Sequence, residues 1–480
     1  MSDRRTLQDS RDIIDEQGNA RKGQEQGRFA RTLGFTAICL GYFMVILDTT
    51  VVYIALPAIQ RQFSATITEL QWVVDGYTLV FASLLLTAGA LGDRLGDKKI
   101  FLLGLVLFTG GSALCGIAPT MWMLQLARVV QGIGAALQVP ASLALLNHMY
   151  SDPRERARAI GIWGGIAGIA AGLGPVLSGL LVVSLGWRSV FFINVPIGML
   201  AILFTLLYVY PVPGQHGRGL DFSAQLMGIV ALVLLTLALI EGKTWGWTSL
   251  PIVGAFVGFV AATGVFLLIE RAAASPMLPL KLFSSRTFSS ANTVGLLLNF
   301  GFYGQLFLLT AYFQQIRGYS ALLAGLALLP QLGMAAFAST LAGRVTGRVG
   351  PRLVMVSGLL LGGVGFLALI SIGMTTGYLL LCPMLVAIGF GTAFAMPAMT
   401  NAVVASAPKE RSGIASAVLN ASRQTGGTLG VALLGSLVGG YRAFIPGLHS
   451  ALGIAGGAFL LGSILSFLFV YRGQTNMEVI

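Results

Sequence analysis

Fourteen runs of about twenty apolar residues follow one another along this 480-residue chain, each long enough to cross a bilayer as an α-helix. They lie near 33–57, 71–91, 99–118, 121–147, 157–182, 189–210, 222–241, 249–269, 287–313, 321–345, 352–373, 377–402, 412–440 and 450–471. A backbone inside hydrocarbon must bond its own polar groups, which leaves helices as the form available to such runs. Only 10% of the residues are charged, against roughly one quarter in a soluble domain, so the chain needs lipid around it. The expectation is an all-α polytopic membrane protein with fourteen transmembrane helices. Were the seventh and eighth runs both re-entrant, the count would be twelve.

The formal net charge of +12 would suit nucleic acid if it formed one patch, but its distribution follows the membrane. With the N-terminus inside, cytoplasmic segments carry 23 of the 30 Lys and Arg. External segments carry five (Arg61, Arg188, Lys243, Arg317 and Arg442), and Arg128 and Arg423 lie within spans. This bias predicts both termini in the cytoplasm and a membrane-lipid partner, with no nucleic acid. Residues 1–31 hold seven Lys/Arg and six Asp/Glu and read as a disordered cytoplasmic tail, too long and too acidic for a signal-peptide n-region. Cys39, Cys115 and Cys382 sit in apolar runs without paired spacing, and His148, His216 and His449 are far apart, so neither a disulfide framework nor a metal site is expected. No Gly-x-x-x-x-Gly-Lys-Ser/Thr loop occurs, so ATP is not expected as an energy source within the chain, and no cofactor is expected.

An internal repeat organises the spans. Gly89–Lys98 (GALGDRLGDK) aligns with Gly343–Arg352 (GRVTGRVGPR) at an offset of 254. Gly132-Ile133-Gly134 with Pro140 matches Gly389-Phe390-Gly391 with Pro397 at 257, and Pro153–Arg156 matches Pro408–Arg411 at 255. Three matches at nearly one offset indicate duplicated halves. The expected organisation is a polar tail (1–32), a six-helix bundle (33–210), two inserted helices with their loops (211–286), a second six-helix bundle (287–471) and a short tail (472–480). Parallel six-span repeats are one plan of secondary transporters, with the site near the midplane between the halves.

Several stretches carry a resemblance to a known family. Gly89–Lys99 resembles the loop signature of the major facilitator superfamily, and Leu126–Ala136 (LARVVQGIGAA) resembles its fourth-helix signature. Gly168–Gly179 (GIAAGLGPVLSG) resembles the fifth-helix antiporter signature. Leu47–Pro57 (LDTTVVYIALP) is similar to the first-helix signature of the fourteen-span drug:proton antiporters, as is Trp187–Gly198. Within that branch, Ala238–Gly242 with Gly246–Thr248, and Val418–Gln424, are similar to methylenomycin-resistance proteins. The family has Asn where this chain has Tyr53, so no polar cavity role is carried to that position.

The resemblance implies a major facilitator fold and a transporter of the bacterial cytoplasmic membrane, not an enzyme. It further implies a proton-driven antiporter that exports amphipathic drugs or toxic compounds by alternating access, with protons and a small-molecule substrate as partners and a monomer as the working unit. A dedicated metabolite or antibiotic exporter, or a proton-coupled uptake symporter, would share these features. A membrane enzyme would need a nucleophile–base or metal cluster at one depth, which three scattered histidines do not supply.

The candidate residues follow from charge and depth. Asp48 lies nine residues before Pro57, roughly 13 Å below the outer boundary, and Arg128 about six residues, or roughly 9 Å, inside Trp122 on an oppositely running helix. At similar depth each would offset the other's desolvation, as a structural ion pair or as a proton-coupling pair. Burial disfavours a charged carboxylate and a cation favours it, so exposing the pair to each side in turn would couple proton movement to transport. Asp75, about four residues inside the second span, reads as a mouth-lining carboxylate or a second acidic contact for protons or cationic drugs. Arg423, about eleven residues into its span, shares a helical stretch with Asn420 and Gln424 and needs a partner or water, which suits a cavity that also accepts an anion. Asn299 and Tyr303, in an aromatic and amide-rich ninth span, suit loose binding of flat apolar ligands. Gly89, Asp93, Arg94, Gly96 and Lys98 form the expected gating loop, a clamp holding the outward-open state. Gly168, Gly172, Gly174, Pro175 and Gly179 mark the antiporter helix, where the four-residue spacing from Gly164 through Gly172 predicts a close helix contact.

Overall fold

The computed structural model describes residues 2–211, 222–273, 278–408, 411–439 and 441–471, with side chains, a few excepted, from Phe29 onward. The expected tail 472–480, the tail side chains before Phe29, and Lys409 and Glu410 of the third repeat match lie outside that description. The first half comprises α1 (Ser2–Phe63), α2 (Ile67–Leu95), α3 (Asp97–Ile117), α4 (Met121–Met149), α5 (Pro153–Leu185), α6 (Ser189–Phe192) and α7 (Asn194–Tyr208). Next come α8 (Phe222–Trp245) and α9 (Leu250–Ala272). The second half comprises α10 (Arg286–Ala311), ending in a π-helical turn Tyr312–Ile316, then α11 (Ala321–Val349), α12 (Pro351–Leu369), α13 (Tyr378–Ala405), α14 (Ser412–Ser436) and α15 (Tyr441–Phe469).

Helix ends carry their own signals. Thr66 and Glu69 cap each other's backbone at the start of α2, and Asp152 accepts from Glu155 N ahead of Pro153 at the start of α5. Ser285 and Ser320 cap α10 and α11 in the same way. The duplication is visible in the backbone. The α2–α3 and α11–α12 turns each pivot on a glycine with positive φ, Gly96 at 93° and Gly350 at 80°, which occupy matching positions of the repeat. The α3–α4 and α12–α13 pairs approach at matching glycines too. A Cβ on Gly134 would stand 2.5 Å from Phe108 N, and one on Gly391 would stand 2.3 Å from Gly358 O.

Among the described residues, twelve helices are long and apolar enough to span a membrane, or thirteen with α2, which bends by 54° between Leu85 and Thr87. The inserted α8 and α9 are both among them. The expected count of fourteen is therefore not reached, and the missing helix is α14. It packs against α10, α13, α2 and α8, and carries Asn420, Arg423, Gln424 and Thr428. A helix enclosed by other helices does not need the apolar surface that lipid demands.

The halves meet along two helix pairs, α2 with α14 and α5 with α11, while α8 leans on α2 and α14. These contacts concentrate at one end. There Gln71 Nε2 donates to Val431 O and Ala432 O, both at 2.8 Å; Gln314 Nε2 donates to Ile54 O at 2.9 Å; and Gln315 Nε2 donates to Gln60 Oε1 at 2.7 Å. A Cβ on Gly325 would stand 2.3 Å from Pro175 O, and one on Gly179 2.6 Å from Leu322 Cα. Toward the other end the seam parts: Cβ atoms on Gly164, Gly165, Gly168, Gly343 or Gly347 would meet nothing within 4 Å. The molecule is sealed at the end that carries the α1–α2 turn and open at the end that carries the α2–α3 turn.

Candidate transport site

Two buried acids define the centre of the first half, and they have different surroundings. Asp48 on α1 is fully buried and paired with Arg128 on α4, which is 1% exposed. Asn194 Nδ2 from α7 donates to Asp48 Oδ1 at 3.2 Å, and Gln131 Nε2 reaches the same oxygen at 3.3 Å. Arg128 is held further by Gln131 Oε1 at 2.8 Å and by Val73 O of α2, which accepts from Nε at 3.0 Å. Its guanidinium carbon lies 4.3 Å from the centre of the Tyr77 ring. Gln131 donates to Ser112 Oγ at 2.7 Å and accepts from Cys115 Sγ at 3.2 Å. The depth count puts Asp48 and Arg128 at similar levels; the structure has them in direct contact within one half, away from the seam. Charge-assisted bonds and a ring face satisfy this pair on nearly every side, which is what lets two charges stay dry.

Asp75 is also fully buried, which corrects the mouth-lining reading. The Thr66–Glu69 capping box starts α2 at Ile67, a turn earlier than its apolar run, so Asp75 is eight residues deep. Thr78 Oγ1 donates to its Oδ1 at 3.2 Å, and Oδ2 has no partner among the described residues. Thr78 also receives a 3.0 Å bond from Thr428 of α14, so this carboxyl sits against the seam.

On the facing half, Arg423 is half-buried, Asn420 is exposed and Gln424 is half-buried on α14. The Arg423 stem crosses α10 where a Cβ on Gly295 would be 3.2 Å from its Cγ. One turn beyond Gly295, Asn299 is buried with Oδ1 unpartnered, and Tyr303 packs on Gly427 and faces Tyr53 at a ring separation of 6.3 Å. Tyr53 is itself buried, so the position where the family pattern has an amide holds a ring packed toward Tyr303 of the other half.

The loop charges are not clamped in this conformation. Asp93 and Arg94 are exposed and form no hydrogen bond or ion pair among the described residues, while Lys98 Nζ donates to Leu206 O at 3.2 Å. The buried acid of the loop is Asp97, 3.4 Å from His148 Nε2 and tucked against Gly92. Gly89 borders open space, consistent with a parted seam at that end. On α5 the expected ridge Gly164–Gly168–Gly172 carries no close contact: Gly164 and Gly168 meet nothing, and Gly172 only Leu332 O at 3.8 Å. The tight contacts lie farther along, at Gly174 against Thr50, at Pro175 against Gly325 and at Gly179 against Leu322, because this part of α5 belongs to the sealed end. Sequence reasoning assigned no role to Gln131, Asn194, Tyr42 or Trp163. Neutral amides and aromatics are ordinary inside a bundle; the usable signal for Gln131 and Asn194 was their place in the Leu126–Ala136 and Trp187–Gly198 stretches, and Tyr42 and Trp163 lie in no such stretch.

The sequence matches the family model described as Major Facilitator Superfamily over residues 38–431 and 331–479. The chain belongs to the major facilitator superfamily. It is 37% identical over 444 residues to a methylenomycin A resistance protein of Streptomyces coelicolor, spanning 92% of this chain and 93% of that protein. It is 39% identical over 406 residues to multidrug resistance protein Stp of Mycobacterium tuberculosis, covering 85% and 75%. It is 36% identical over 403 residues to a tetracenomycin C resistance and export protein of Streptomyces glaucescens, of which 84% of this chain and 75% of that protein align. The fold matches a bacterial homologue of the lysosomal transporter Spinster with a TM-score of 0.67 over 93% of this chain and 99% of that one, at 19% identity. The major facilitator fold, a multi-span membrane location and a transporter rather than an enzyme are therefore properties of this chain.

Proposed function

We propose that this protein is a proton-driven exporter of small toxic compounds that works by alternating access in the cell membrane, with both termini in the cytoplasm. The observation that carries the reading is the seam, bonded at one end and parted at the other. Under the charge-derived orientation the open end faces the cytoplasm, the side from which an exporter loads. Asp93 and Arg94, unbonded among the described residues, fit this, since a loop clamp that holds the outward-open state has nothing to grip when the opposite end is closed. Names of relatives for drug resistance and efflux support export over uptake.

Two carboxyls divide the coupling. Asp48, Arg128, Gln131 and Asn194 form a dry switch inside the first half, and Asp75 faces the seam. A lone charge on Asp75 in this position is costly, and rocking of the halves past each other alters its access to water. Asp48→Asn is expected to abolish proton-driven efflux of a fluorescent dye from energised cells while the variant still reaches the membrane. Efflux at the wild-type rate, still sensitive to a protonophore, would remove Asp48 from the coupling path.

A further inference from the structure

Among the described residues Arg423 has no counterion. The second half, residues 287–471, contains a single acidic residue in its sequence, Glu410, which precedes Arg423 by 13 positions and lies outside the described residues. Among the described residues no carboxylate lies within ion-pair distance of Arg423. Its Nη1 meets Asn420 Oδ1 at 3.5 Å, its Nη2 meets Met396 Sδ at 3.3 Å, and its Nε is buried with no partner. Both acids across the seam are committed elsewhere. Asp48 is paired with Arg128, and Asp75 is bonded to Thr78 at a different level. The Thr78–Thr428 bond sets the register: Asp75 lies three residues toward the sealed end and Arg423 five toward the open end, roughly 12 Å apart along the helices. A guanidinium at this depth without an acid is costly unless something that enters the cavity supplies the charge.

The surroundings describe the rest of that molecule. Tyr42 and Tyr303 both stand within electrostatic reach of Arg423. Tyr42 stacks on Trp163 of α5 with ring centres 3.8 Å apart and planes 8° from parallel, a flat platform on the opposite wall. Trp163 Nε1 is a second buried donor without a partner among the described residues. Beside it Gly164 and Gly165 border open space, so the platform is reached from the parted end. Flat rings on one wall and unmatched N–H donors on both walls suit an amphipathic aromatic molecule that carries acceptor oxygens and a negative charge.

We propose that the transported compounds are aromatic acids, whose anionic group pairs with Arg423 and whose ring lies on Tyr42 and Trp163. This rests on the export reading above and narrows it to a substrate class. Binding to the purified chain is read by fluorescence polarization of two dyes with one ring system, fluorescein as the anion and rhodamine 6G as the cation. Wild-type protein is expected to prefer fluorescein by about 10-fold or more. Arg423→Gln removes the cation, and Asn420→Asp gives it an internal counterion without changing side-chain shape, which also protects the fold. Each is expected to weaken fluorescein binding roughly 10- to 100-fold while rhodamine 6G binding stays level or tightens. Fluorescein binding that is absent, weaker than that of rhodamine 6G, or unchanged in both variants overturns the proposal. Everted vesicles under a proton gradient separate the two readings. If fluorescein binding follows Arg423 but neither dye is accumulated, export falls and the substrate class stands; if only rhodamine 6G is accumulated, the substrate class falls and export stands.

Discussion

Replacing Arg128 by Met separates what the buried pair does for the fold from what it does for transport. The substitution leaves Asp48 fully buried with two neutral donors, Asn194 at 3.2 Å and Gln131 at 3.3 Å, where it had a guanidinium. Breaking a buried ion pair from one side typically costs roughly 3–5 kcal/mol, because the surviving charge stays dry. Asp48→Asn leaves Arg128 better provided for, with Val73 O, Gln131 and the Tyr77 ring still in place, so its cost is expected to be smaller. Combining the two removes both charges and is expected to recover about 2 kcal/mol relative to Arg128→Met alone. The assay is equilibrium unfolding of the purified protein in mixed micelles, run beside dye efflux in cells for all four proteins. If the pair couples protons, the double variant regains stability and stays inactive. A double variant that recovers efflux together with stability would return the pair to a purely structural role. Equal stability of Arg128→Met and wild type would refute the desolvation argument itself.

Other perturbations test the scaffold. Gly96→Ala and Gly350→Ala place a Cβ on φ values of 93° and 80°, and each is expected to lose about 1–2 kcal/mol in the same unfolding assay, by similar amounts because the turns are repeats; unequal losses would mean that the halves are not equivalent there. Gln60→Cys with Gln315→Cys places two thiols on facing helices across the sealed end, where the longer native amides touch at 2.7 Å, a gap suited to a short reducible bis-thiol cross-linker. Cross-linking is expected to stop efflux and reductive cleavage of the linker to restore it, while efflux from the cross-linked protein would show that this end does not open. Gly174→Ala sets a Cβ 2.0 Å from Thr50 Oγ1, so efflux should fall sharply and recover in part with Thr50→Ala; no recovery would place the fault outside the α1–α5 contact.

What could be read in the sequence followed from how conspicuous each residue is against an apolar background. Asp48, Arg128 and Arg423 are charges in spans, so the cost of burial marks them directly. The amides that complete the pair, Gln131 and Asn194, carry no such penalty when bonded and gave no signal of their own. Depth was legible only as well as helix ends were: the Thr66–Glu69 box starts α2 before its apolar run does and carries Asp75 from the mouth to the interior. The run 412–440 was legible as a helix, but the helix neighbours around the polar residues of α14, Asn420, Arg423, Gln424 and Thr428, were not. The glycines of α5 were legible as a type and not as a contact, since which of them touch α11 depends on which end of the seam is closed.

The way the seam is bonded bears on how small a push can reverse it. The three ion pairs found among the described residues, Arg31–Glu155, Arg128–Asp48 and His148–Asp97, all lie within the first half. Between the halves the sealed end relies on amides and hydroxyls: Gln71 to two carbonyls, Gln314 to Ile54, Gln315 to Gln60 and Thr428 to Thr78. Each such bond contributes about 0.5–1.5 kcal/mol net, so the set amounts to a few kcal/mol. That is the scale of a single protonation or of one charge-assisted contact to a bound anion. The helix through which such a push would act is α2. Val73 O holds Arg128, Asp75 lies two residues on, and Gln71 and Thr78 grip α14 on either side of it. Under the proposed alternating-access reading, a change of charge at Asp48 or Asp75 acts on the helix that closes the seam, and such a carrier needs no large energy to turn over in either direction.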